Sequence, residues 1–165
     1  MSRVRFIVVF LLLLAIFEFA LLIDVVDRDV VIPFTTWIAI ISGAIIRIAQ
    51  PGLHVIGTTI SAPCFAVDIR NGCNGVEATL FVVAAVLAFP ASVAKKLIGV
   101  VIGTGLIQLA NLVRVVTLFL IGCHRRSWFE AFHLAVWQTA IFALAVGFFI
   151  IWSRRSVPAN VASRA

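Results

Sequence analysis

The stretch Leu97–Ile121, LIGVVIGTGLIQLANLVRVVTLFLI, decides what kind of molecule this is. It is a long, mostly apolar run that contains Gln108, Asn111 and Arg114. As a helix it reaches about 37 Å at about 1.5 Å per residue, more than the roughly 30 Å hydrocarbon core of a bilayer. Those three residues recur at intervals of three, so they form one stripe. Arg114 lies about six residues from the end of the run, or roughly 9 Å deep. A charge there costs several kcal/mol unless it is paired or hydrated. A snorkelling arginine reaching the headgroups is the plain alternative. The stripe favours a side chain that faces protein or water.

The composition agrees. Of 165 residues, 63% are hydrophobic and 12% charged, and the mean hydropathy is +1.19. Soluble domains are about one quarter charged. A water-soluble globular domain, a disordered chain and a nucleic-acid binder built on a basic surface are excluded. The net charge of +6 reads as an orientation signal. Three cysteines without a CxxC pair argue against a zinc ribbon or redox motif.

Working outward, Phe6–Ile23 is a first span, interrupted by Glu18 and ending in Asp24, Asp27, Arg28 and Asp29 as a polar exit. It lacks a small-residue cleavage site and is expected to be retained. Residues 34–50, caught between Pro33 and Pro51, reach only about 25 Å, as a short span, a re-entrant helix or an interfacial helix. Residues 52–72 show strand periodicity, with Phe65, Val67 and Ile69 alternating with Ala66, Asp68 and Arg70. Leu53–Ile60 is also β-prone, and Ser61-Ala62-Pro63 offers a turn. Open strands cannot face lipid, so a hairpin-like element outside the bilayer is expected. Val76–Phe89, Leu97–Ile121 and Leu134–Trp152 complete the spans. The expected fold is an all-α polytopic membrane protein with about four transmembrane helices. One domain covers residues 1–155, with its core at about 65–152 and a flexible tail at 156–165.

Charge fixes the expected orientation. If 34–50 does not cross, one side holds Arg3, Arg5, Lys95, Lys96, Arg154, Arg155 and Arg164. The other holds Arg28, Arg47, Arg70, Arg125 and Arg126, with every acidic residue but Glu18. The positive-inside rule then puts both termini in the cytoplasm and the β-prone segment outside.

Three residues carry the chemistry. Cys73 lies in RNGCNGVE (Arg70–Glu77), where Asn74 can cap the next helix and Glu77 completes a capping box. A helix N-terminus favours the thiolate; an ordinary turn is the alternative. Gly72 and Gly75 permit close approach of a substrate backbone. His133 opens the last helix at the depth expected for Cys73, and Arg114 approaches from below, with Asn111 on its face. His54 and His124 are competing histidines. A cysteine, a base and an arginine suffice for acyl transfer: histidine takes the thiol proton and returns it to the leaving amine, while arginine stabilises the oxyanion. Gly99 and Gly103 form a GxxxG pair suited to helix packing. Cys64 and Cys123 share the outer side, as a disulfide or as free thiols.

The blocks Asn71–Glu77, Leu87–Pro90, Leu109–Arg114 and Phe129–His133 resemble the exosortase/archaeosortase family of membrane sorting enzymes. The stretch Phe132-His133-x-x-x-Trp137-Gln138 looks most like the exosortase H subgroup. The resemblance implies a membrane cysteine protease/transpeptidase of the cell inner membrane, with Cys73 as nucleophile, Arg114 as electrostatic stabiliser and His133 as acid/base. Asn74, Asn111 and Glu77 support them. It implies no metal or organic cofactor. Partners would be membrane lipid and exported proteins with a C-terminal sorting signal: a short motif of Ile-Pro-Thr-Leu type, a transmembrane helix and a basic cluster. No nucleic-acid partner is expected. The rival readings are a non-enzymatic scaffold or export-machine subunit, and an anion transporter for which the inner halves of the helices are too apolar.

Overall fold

A computed structural model describes residues 3–156. Of the tail expected at 156–165, only Ser156 falls within this range, and it is the buried last residue of the final helix. The rest of the tail lies outside the described residues. The first helix, α1 (Arg3–Leu21), buries no residue in the protein, as suits a helix with apolar side chains all round.

The next helix, α2 (Asp24–Ile46), corrects the reading of residues 34–50: it is a continuous 23-residue rod. Pro33 does not begin it. A π-turn at Asp27–Val31 precedes the proline, with the Ile32 N–H bonded to the Asp27 carbonyl. Such a turn relieves the ladder where proline would remove a bond and clash with an earlier carbonyl. Asp24, Asp27, Arg28 and Asp29, expected as a polar exit, are therefore helical. Helix α3 (Val76–Ala88) is only 13 residues long. It starts after Gly75, whose φ is +77°, and stops at the extended Phe89, as the residue before a proline requires. Helices α4 (Val93–His124) and α5 (Arg126–Ser156) have 32 and 31 residues.

Four helices are long and apolar enough to cross a membrane: α1, α2, α4 and α5. By length α2 qualifies and the 13-residue α3 does not, yet α3 runs beside α1, α4 and α5 from the site loop to the basic end of the bundle, where Lys96 donates to the Leu87 carbonyl and Phe89 meets Phe6. The protein is a polytopic α-helical membrane protein.

The β-prone segment forms a three-stranded antiparallel sheet, β1 (His54–Ile56), β2 (Thr59–Ala62) and β3 (Phe65–Asp68), in that order. A single hairpin was too few strands. Gly57, at φ +58°, splits the first β-prone run, and the second turn falls at Pro63–Cys64, just beyond the expected position. Cys64 and Cys123 are disulfide-bonded, tying the β2–β3 turn to the end of α4.

Two cores stack along α4. In the first, α3 packs against α1, α4 and α5 around Val82, Val86, Ile107 and Ala145. Gly99 and Gly103 belong here: a Cβ on them would come within 2.5 Å of Trp152 and 2.6 Å of Phe148, so the GxxxG face packs on α5. In the second core, α2 and the sheet cover the far half of α4 around Ile38, Ala39, Ile60 and Phe119. Phe6 stacks on Phe149 and meets Phe89 edge-on, and the Lys95 ammonium donates to the Ser156 carbonyl at 3.4 Å. The two described ends of the chain thus share one end of the bundle with Lys95, Lys96, Arg154 and Arg155. The sheet and disulfide occupy the other. Between the cores lie buried Thr35, Asn74, Asn111 and Arg114.

Candidate active site

The site occupies this polar boundary. Its loop, Ile69–Gly75, joins β3 to α3 and is held from several sides. Asn74 is fully buried. Its amide donates to Thr35 Oγ1 at 3.0 Å and to Asn71 Oδ1 at 3.2 Å. Its Oδ1 accepts from the Val76 N–H at 3.0 Å. The expected capping box is therefore displaced. Gly75 holds the N-cap position, Asn74 takes the first helical amide from one residue further out, and Glu77 turns back toward the Gly72 amide. The left-handed Gly75 permits this shift. A Cβ on Gly75 would also lie 3.1 Å from Asn111, so the loop rests directly on α4.

The α4 stripe faces protein. Gln108 donates to the Gly75 carbonyl at 3.2 Å and to Thr79 at 3.0 Å. Arg114 is 4% exposed. Its guanidinium donates to the Gly72 carbonyl at 3.3 Å and contacts Cys73 Sγ at 3.6 Å. Its Nε, and both polar atoms of the Asn111 side chain, have no hydrogen-bond partner among the described residues. A snorkelling arginine would be solvated at its head; this one is enclosed beside a sulfur.

Cys73 Sγ lies 3.0 Å from His133 Nε2. His133 comes from a π-turn at Phe132–Val136 inside α5, a local unwinding often found at functional sites, and its ring stacks on Phe129. The competing histidines are elsewhere: His54 lies in β1, and His124 bonds the Leu120 carbonyl of its own helix. Cys73, the one free cysteine among the described residues, has its thiol pushed above the ordinary range. Burial is the main cause; Arg114 opposes it and Glu77 adds to it. The expected lowering of the thiol is not seen, because desolvation outweighs the Arg114 charge.

Two cavities flank Arg114. One of about 410 Å³ is lined by Cys73, His133 and Arg114 together with Val67–Asn71 and Leu134. The other, about 220 Å³, lies between α1, α3 and α5 and is lined by Glu18, Glu77 and Gln138. Sequence reasoning missed Thr35, one of three hydroxyls in its run with Thr36 and Ser42, and Asp27, which accepts from Asn71 at 3.0 Å.

Residues 1–153 match the family model described as transmembrane exosortase (EpsH). The chain belongs to the exosortase family. The match takes in α1 and α2, beyond the blocks from about residue 65 that carried the resemblance in sequence. No curated protein and no solved structure matches this exosortase.

Proposed function

We propose that this exosortase cleaves a C-terminal sorting signal on exported proteins through a thioacyl intermediate on Cys73. The observation that carries the reading is the contact of one thiol with an imidazole at 3.0 Å and a guanidinium at 3.6 Å. Exosortase membership supports a cysteine transpeptidase in general.

His133 Nε2 takes the Cys73 proton. The thiolate forms a C–S bond to the scissile carbonyl carbon, and the carbonyl oxygen becomes an oxyanion beside Arg114, which supplies fixed positive charge. Collapse breaks the C–N bond, and His133 returns its proton to the leaving nitrogen. The released fragment carries the transmembrane helix and basic cluster. Attack on the thioester by an amine transfers the acyl group; attack by water ends in hydrolysis. In either case His133 takes the attacker's proton, the C–S bond breaks, and His133 passes that proton to the departing Sγ to regenerate the thiol. Asn74 holds the loop by its hydrogen bonds, Asn111 packs beneath Gly75, and Glu77 sets the negative charge near the thiol.

The substrate is a protein ending in a short motif of Ile-Pro-Thr-Leu type, a membrane helix and basic residues. The enzyme sits in the inner membrane with both termini cytoplasmic. Two features support this orientation: the basic end of the bundle, as the positive-inside rule prefers, and the Cys64–Cys123 disulfide at the end bearing the site, as an oxidising compartment permits.

The test is co-expression with a tagged reporter bearing such a tail. Wild-type protein is expected to shorten the reporter. Cys73→Ala and His133→Ala are expected to leave it intact while inserting normally. Processing that persists in a stably inserted Cys73→Ala variant refutes the mechanism.

A further inference from the structure

Among the described residues, the order β1-β2-β3 leaves β3 without a strand neighbour on its outer side. The Ile69 N–H donates to the Thr58 carbonyl of the facing chain. Alternation along an antiparallel pair, with the register Ile60↔Val67, points the backbone groups of Val67 and Ile69 at β2. Those of Ala66 and Asp68 point away from it. The 410 Å³ cavity runs along this free side, and the successive residues Val67, Asp68 and Ile69 all line it. A strand seen face-on presents only every second side chain, so the cavity meets β3 at its edge. Five residues beyond Asp68 the same chain delivers Cys73 into the same cavity.

We propose that the sorting motif binds as an extended segment that adds a strand to the free edge of β3, with backbone hydrogen bonds to Ala66 and Asp68. This rests on the site being a sorting cysteine site and specifies how its substrate is held. The occupant must be extended for two reasons. A helical segment ties each carbonyl to its own N–H four residues on, leaving none open to a thiolate, whereas an added strand keeps alternate carbonyls free. An unpaired strand edge is also a recurrent template for extended peptides. Edge pairing gives affinity independent of side chains, and the cavity wall then selects alternate residues of the motif.

The test is disulfide trapping of the reporter in membranes. The enzyme carries Cys73→Ser with either Asp68→Cys or Val67→Cys, and single cysteines are scanned through the motif. Asp68→Cys is expected to cross-link every second motif position several-fold more strongly than the positions between. Val67→Cys, on the opposite face of the strand, is expected to capture the complementary set. A helical period, a uniform pattern, or no cross-link to a reporter that wild-type enzyme processes overturns the added strand. Failure of wild-type enzyme to process the reporter refutes the sorting function instead, so the two outcomes are distinguishable.

Discussion

Arg114 offers the sharpest test, because its guanidinium does two things at once. It contacts Cys73 Sγ at 3.6 Å and the Gly72 carbonyl at 3.3 Å. At 3.6 Å a thiolate and a full positive charge attract by about 1 kcal/mol in water and about 5 kcal/mol at an effective dielectric of about 20. The oxyanion formed by attack at Sγ lies within reach of the same charge, and losing one such donor costs roughly 10²–10³ in turnover. Arg114→Met keeps the volume and removes the charge, so processing is expected to fall by about 10²–10³. Arg114→Lys keeps a point charge but loses the fork that reaches both partners, so its loss is expected to be smaller than that of Arg114→Met. The assay is the rate of reporter processing in detergent-solubilised membranes, with maleimide labelling of Cys73 measured in parallel. Arg114→Met is also expected to slow labelling at a fixed pH, because the thiolate loses its counter-charge. Arg114→Met with processing and labelling both close to wild type would refute the assignment of charge stabilisation to this residue.

Other outcomes follow from the same contacts. Because burial holds the Cys73 thiol above its ordinary range, its alkylation by maleimide is expected to keep rising with pH on the alkaline side; Glu77→Gln removes a like charge and moves that rise to lower pH. An unchanged profile would show that Glu77 does not act on the thiol. Gly75→Ala places a side chain at φ +77° and 3.1 Å from Asn111, for an expected loss of about 1–2 kcal/mol in thermal unfolding and a fall in processing. Replacing Cys64 and Cys123 together by serine opens a link across 59 positions, with an expected loss of about 2–4 kcal/mol read as a lowered melting temperature. Gly99→Leu drives a side chain into Trp152 and is expected to destabilise the α4–α5 pair by about 1–3 kcal/mol, with no effect on Cys73 labelling in the protein that remains folded.

Pattern on one helix face was readable from the chain alone. The polar stripe Gln108, Asn111 and Arg114 announced that α4 turns this face inward, because an exposed arginine at that depth would be too costly. The apolar runs gave the membrane, and period-two alternation gave the β-prone loop. What misled was local punctuation. Pro33 looked like the start of a short helix, but the π-turn at Asp27–Val31 carries the chain through it. The capping box at Asn74 and Glu77 fitted its motif, but Gly75 moved the cap by one residue.

The chain by itself thus determined a membrane-embedded bundle and nominated Cys73, Arg114 and His133, since hydrophobicity, periodicity and charge are local properties. Only the tertiary structure brought Cys73 and His133, 60 residues apart, to 3.0 Å and left an unpaired strand edge along their cavity. It also enlisted Thr35 and Asp27 of α2 to hold the Cys73 loop. Those relations depend on how helices pack and where a loop is anchored, and the spacing of residues along the chain does not carry that information. The elevated thiol has the same origin: a sequence motif can place a cysteine before a helix, but how much water is removed around it is set by the other elements of the fold.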